Sequence, residues 1–123
     1  MRKLILGLCL GLLASVASAD GVENKWRVEV SGNAESSGRI VLEVAPAEGD
    51  PIRATIDVAK GRGENEVARD VRDALQAQVG KRYNVEVDDG EDVLVKKHKG
   101  ERDFVITIVE NSVQGVKLEI DAE

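Results

Sequence analysis

One cysteine, one histidine, two prolines and three aromatic residues are all that 123 positions contain of those types. The cysteine is Cys9, inside the first nineteen residues, so the rest of the chain has no thiol for a disulfide framework or a nucleophile. His98 is the single imidazole and stands in Lys96-Lys97-His98-Lys99, where the lysines disfavour both its protonation and a bound cation. Neither a Ser-His-acid nor a Cys-His arrangement can be assembled from this inventory. Trp26, Tyr83 and Phe104 lie in three separate segments, which leaves no aromatic platform for sugars or single-stranded nucleic acid. Without aromatic subsites, the many carboxylates do not point to a glycosidase, although Glu29, Glu43 and Asp57 alternate outward on successive strands and are expected to line one wet face. A core built from this chain is aliphatic, and no enzyme chemistry, cofactor or catalytic residue is expected of it.

Long apolar runs are also lacking, with one exception. Leu4 to Leu13 follows Arg2 and Lys3 and precedes Ala17, Ser18 and Ala19, the pattern of a secretory signal peptide cut after Ala19. The run is too short to span a bilayer, and Leu8 before Cys9 departs from a lipoprotein signal, which wants a small residue there. Residues 1-19 are therefore expected to export residues 20-123, a single acidic domain, to a periplasm or out of the cell, with no membrane attachment after cleavage. Losing Arg2 and Lys3 leaves 15 basic against 23 acidic side chains, a formal net charge of −8. Such a charge repels nucleic acid and anionic membrane, attracts cationic partners and favours solubility.

What the chain does have is alternation. Trp26, Val28 and Val30 alternate with Arg27 and Glu29; Ile40, Leu42 and Val44 are expected inside, with Arg39 and Glu43 outside. After a loop from Pro46 to Pro51, Ile52, Ala54, Ile56 and Val58 alternate with Arg53, Thr55 and Asp57. Past Gly61-Arg62-Gly63 the period changes: Val67, Val71, Ala74, Leu75 and Val79 follow helical spacing over 65-79, with Asn65 as N-cap and Gly80 at C′. Gly61-Arg62-Gly63 lacks the Lys-Ser/Thr of a phosphate loop, and Glu64 and Glu66 would repel a phosphate. Four more strands are expected: Tyr83 to Val87, Val93 to Lys96, Phe104 to Val109 and Val116 to Asp121. A three-residue loop, Asp88-Asp89-Gly90, would put Val85 opposite Val93 and leave Leu94 outside, with Gly90 left-handed. Phe104 to Val109, apolar on both faces except Thr107, has the pattern of a central strand.

The fold class is thus α+β, a mainly antiparallel sheet of about six or seven strands with one helix on one face, in the order β-β-β-α-β-β-β-β. One helix of about 24 Å covers three or four strands, so the first strands are expected to curl into a second layer or partial barrel, or to leave apolar surface for a partner. Ile52 to Val109 resembles the small repeat modules of flagellar and phage-tail subunits, a pattern without diagnostic residues from which no function follows.

Two functions fit. The first is a non-enzymatic binding or assembly domain that acts through protein-protein contact or self-association, with Trp26 and Leu94 as candidate partner-binding residues. The alternative is an acidic inhibitor of a cationic exported enzyme such as a cell-wall hydrolase, with Ser31 to Gly38 and Asp88 to Asp92 as the inserting loops. Asp88, Asp89, Glu91 and Asp92 are also the one candidate Ca²⁺ cluster, although their spacing departs from the calcium-binding loop.

Overall fold

Period-two patterning becomes seven strands: β1 Lys25–Ser31, β2 Gly38–Pro46, β3 Ile52–Val58, β4 Tyr83–Asp88, β5 Asp92–Lys97, β6 Phe104–Asn111 and β7 Lys117–Ala122. One helix, α1 Glu64–Val79, follows β3, and a short 3-10 turn, Gly80–Arg82, leads into β4. The computed structural model describes residues 21–123. The expected signal peptide, Cys9 and the cut after Ala19 lie outside the described residues. The class is α+β, in the element order that the sequence predicts.

All strand pairs are antiparallel, in two sheets of order β4-β5-β1-β7 and β3-β2-β6. A second layer therefore forms, with a membership that differs from the expected one. It is built from β2, β3 and β6, while β1 sits between β5 and β7 in the larger sheet. Glu29 is consequently in a different sheet from Glu43 and Asp57, and the expected common acidic face does not exist. Glu43 pairs with Arg53 and Asp57 with Arg39 instead.

The inner faces meet in an aliphatic core. Val28, Val30, Val93 and Val95 come from one sheet and Ile40, Leu42, Val44, Ala54, Ile56 and Val58 from the other, all essentially without solvent contact. Helix α1 adds Val67, Val71, Leu75 and Val79 and packs on β3 and β4, the edge strand of each sheet. It thereby closes one of the two seams between the sheets. Among the described residues no helix is long and apolar enough to cross a membrane.

The helix begins one residue before its expected start, with Gly63 rather than Asn65 as N-cap. Glu66 explains the difference: its Oε1 accepts the Gly63 N–H at 2.9 Å, which lends the glycine the cap that its missing side chain cannot supply. That bond, with Arg62 close by, holds the Glu66 carboxyl below the usual range. Gly80 ends the helix at φ +60°, as expected of a C′ glycine.

The β4–β5 loop has the expected three residues but runs from Asp89 to Glu91, one position later than predicted. Val85 faces Val95 and Val87 faces Val93, with Gly90 left-handed at φ +82° and Asp89 at +53°. The predicted register sets Glu86 opposite Asp92, and the observed one sets Asp88 there. The observed one accepts that like-charged pair because Arg27, on the next strand, donates to both carboxylates.

Tyr83 and Phe104 meet edge to face at 4.8 Å in the core, yet the buried Tyr83 hydroxyl has no hydrogen-bond partner among the described residues. Burial pushes its phenol pKa up. Tyr83→Phe removes an unsatisfied polar atom while keeping the ring, so it is expected to stabilise the fold by about 1 kcal/mol. Thermal melting at pH 7 measures this directly.

Candidate functional site: an open seam between two strand edges

The second seam between the sheets is not closed by a helix. It is flanked by β6 and β7, each an edge strand of its own sheet. Consecutive antiparallel strands joined by five residues ordinarily pair as a hairpin. Here the connection itself prevents that. Val113 and Val116 are buried at 4 % and 5 % exposure, and Asn111 accepts from the Val113 N–H and donates to the Val116 carbonyl, both at 3.0 Å. With two valines wedged into the end of the core, β6 and β7 diverge into different sheets.

This overturns the expectation that Phe104 to Val109 is a central strand. Phe104 and Ile106 are buried, but Ile108 and Val109 are 41 % and 43 % exposed. Pairing with β2 explains the apolar pattern. Ile106 and Ile108 face Val44 and Leu42 on the inner side, and Val109 is the extra residue of a bulge that restores Asn111 to the inner side opposite Ile40. Ile108 is thus a core-facing residue at a place where the core is open.

At one end the seam is stitched. Glu23 and Phe104 exchange both backbone hydrogen bonds at 2.8 Å across the outer edge of β6, and the Trp26 indole N–H donates to the Phe104 carbonyl at 2.7 Å. The two-residue strand period then aims the backbone groups of Ile106 and Ile108 at the same outer edge, where no strand of the described residues pairs with them. On β7, Glu123 bonds to Lys25 on the β1 side, so Leu118 and Ile120 present their backbone groups at the free edge. Between the edges lies a cleft of about 500 Å³, lined by the aliphatic Ile108, Val116 and Leu118 and by the polar Glu29, Ser31, Asn111, Lys117 and Glu119.

The polar side carries an acidic row. The register across the larger sheet reads Asp88, Asp92, Glu29, Glu119, four carboxylates on four adjacent strands. Arg27 serves the first two and Glu123, which leaves Glu29 and Glu119 facing one another with no ion pair among the described residues. Asp92, then burial, then Glu119 push the Glu29 carboxyl above its ordinary range. A raised pKa in the folded state means the ionised form destabilises it, so the penalty is full at neutral pH and vanishes below about pH 4.3, where both states are protonated. Glu29→Gln is therefore expected to raise the melting temperature by roughly 3 °C at pH 7 and to match the parent below pH 4.

The residues singled out from sequence are dispersed. Trp26 is half-buried against the core at the stitched end, with its indole N–H committed to Phe104. Leu94 is half-buried on the outer face of the larger sheet, between Arg27 and Glu86 in register. Of the acidic turn, Asp88 and Asp92 are held by Arg27, and Glu91 bonds through its backbone to Asp89 and Val30. Among the described residues no three His, Cys, Asp or Glu side chains are grouped to hold a metal ion. His98 Nδ1 contacts the Lys81 carbonyl on an exposed turn. Sequence reasoning missed Ile108, Leu118 and Glu119, which only the split of the strands between two sheets brings together. No protein-family model matches the chain, and no curated protein is similar to it.

Proposed function

We propose that this is a non-enzymatic protein-binding domain, exported from the cytoplasm, that takes an extended segment of a partner by strand addition at the β6–β7 seam. The observation that carries this reading is the pair of strand edges, unpaired among the described residues, that flank a cleft with an aliphatic patch of Ile108, Val116 and Leu118 beside polar side chains. An exposed strand edge offers backbone donors and acceptors to any extended chain, and the cleft offers room for its alternate side chains. Ile108, exposed at an inward-facing position, marks where they enter.

The seam supports binding better than the loops that an inhibitor would insert. Ser31 to Gly38 is tied inward: Ala34 bonds to Arg62, Glu35 to Gln114, and the Ser36 and Ser37 hydroxyls accept from Gln114 and Lys60. The acidic turn spends two of its carboxylates on Arg27.

Benzoylphenylalanine placed at Ile108 is expected to photo-crosslink to a discrete partner in the exported fraction, whereas the same probe at Thr55, on the outer face of the other sheet, is not. Equal labelling from the two positions, or none from Ile108, would sink the reading.

A further inference from the structure

We infer that the segment bound at the seam alternates aliphatic and basic residues, the basic ones meeting Glu29 and Glu119; this rests on the strand-addition reading above. A strand laid on the free edge of β7 repeats that strand's own alternation. Its residues opposite Leu118 and Ile120 face the interior, beside Ile108 and Val116, and must be apolar. Its intervening residues share the outer face with Lys117, Glu119 and Asp121.

On that face the requirement is for positive charge. Glu29 and Glu119 are directly opposite each other on β1 and β7, an arrangement that costs stability unless a cation lies between or beside them. The described residues do not provide it. Arg27, the nearest guanidinium in register, is committed to Asp88, Asp92 and Glu123, and Lys117 lies one row away opposite Ser31 without an ion pair to either glutamate. Asp92, burial and Glu119 together push the Glu29 carboxyl above its ordinary range, in line with a missing cation on this face. A lysine or arginine on an added strand sits next to Glu119 and, with its long side chain, reaches Glu29 one strand further in. A carboxylate there would add a third like charge, which is how the site rejects acidic segments. A second copy of this chain is a poor occupant by the same logic, because its formal net charge is −6 even with Arg2 and Lys3 included.

Three capped octapeptides test this against the purified chain: alternating Val-Lys, Val-Thr and Val-Glu, with backbone amide shifts as the readout. The Val-Lys peptide is expected to bind about tenfold more tightly than Val-Thr, with shifts at Ile106, Ile108, Leu118 and Ile120, and Val-Glu is expected not to bind. In Glu29→Gln/Glu119→Gln the preference for lysine should disappear while Val-Thr affinity is unchanged, and in Asp57→Asn, remote from the seam, the preference should remain. Equal affinity for the lysine and threonine peptides, or a preference that survives the double substitution, overturns the inference and leaves strand addition standing. If no peptide shifts the four amides, strand addition itself fails. Shifts at those amides that depend only on protein concentration make the occupant a second copy, which also overturns the inference.

Discussion

Gly32→Ala and Gly115→Ala should each lower stability by more than about 3 kcal/mol, among the largest losses available to any single methyl group in this fold. Both glycines are left-handed, at φ +86° and +88°, where an alanine is strained before any contact is considered. The contacts are worse. A Cβ on Gly32 would lie 2.0 Å from the Gly115 carbonyl oxygen, and one on Gly115 would lie 2.3 Å from that of Asn33. Both obstacles are backbone, so relief requires the Ser31–Gly38 loop and the β6–β7 turn to move apart. These two segments hold the diverging ends of β6 and β7 beside the core. For a domain of about a hundred residues the loss corresponds to a melting temperature lower by 12 °C or more. Gly61→Ala is the control: it shares the positive φ, at +97°, but a Cβ there meets nothing within 4 Å. A loss at Gly61 equal to that at Gly32 would mean that backbone strain alone is responsible and the close approach contributes nothing.

That close approach shows where the sequence stops being informative. Helix α1 is legible because its own residues carry the 3.6 period, and the strands other than β6 are legible because their own residues alternate. Which strands pair is a property of no single segment. Val28 and Ile40 have the same apolar pattern around them, yet one strand joins β5 and β7 and the other joins β3 and β6. Phe104 to Val109 has the composition of a central strand because Ile108 faces a core that is open on that side, and composition does not distinguish a covered face from an uncovered one. The acidic row was invisible for the same reason. Glu29 and Glu119 are ninety residues apart in the chain, and only the β1–β7 register makes them neighbours. The β4–β5 loop falls one position later than predicted because either placement keeps the valines of both strands on one face, and alternation alone does not choose between them.

Arg27 is therefore expected to be the most consequential charged side chain in the domain. Its guanidinium donates to Asp88, Asp92 and Glu123, and of the three Asp92 is the most enclosed, with its side chain 12 % exposed. Among the described residues the other carboxylate oxygen of Asp92 is buried without a partner, and Arg27 is the one cation paired with this charge. Arg27→Met keeps the aliphatic stem and removes the cation, leaving a buried carboxylate uncompensated and Asp88 facing it across the hairpin. A loss of about 10 °C in melting temperature at pH 7 is expected. Because the damage is the orphaned charge, Arg27→Met/Asp92→Asn should recover much of that loss, a coupling that a merely structural arginine would not show. Acid titration separates the third partner. Bonding to Arg27 holds the Glu123 carboxyl below its ordinary value, so its contribution is present above the unfolded value of about 4.3 and is lost as pH falls through the lower folded value. In Arg27→Met that part of the acid-induced loss should vanish, so that the parent and the variant converge below pH 4. Parallel stability curves for the two proteins from pH 7 to pH 3 would show that Arg27 acts through packing rather than through its charge.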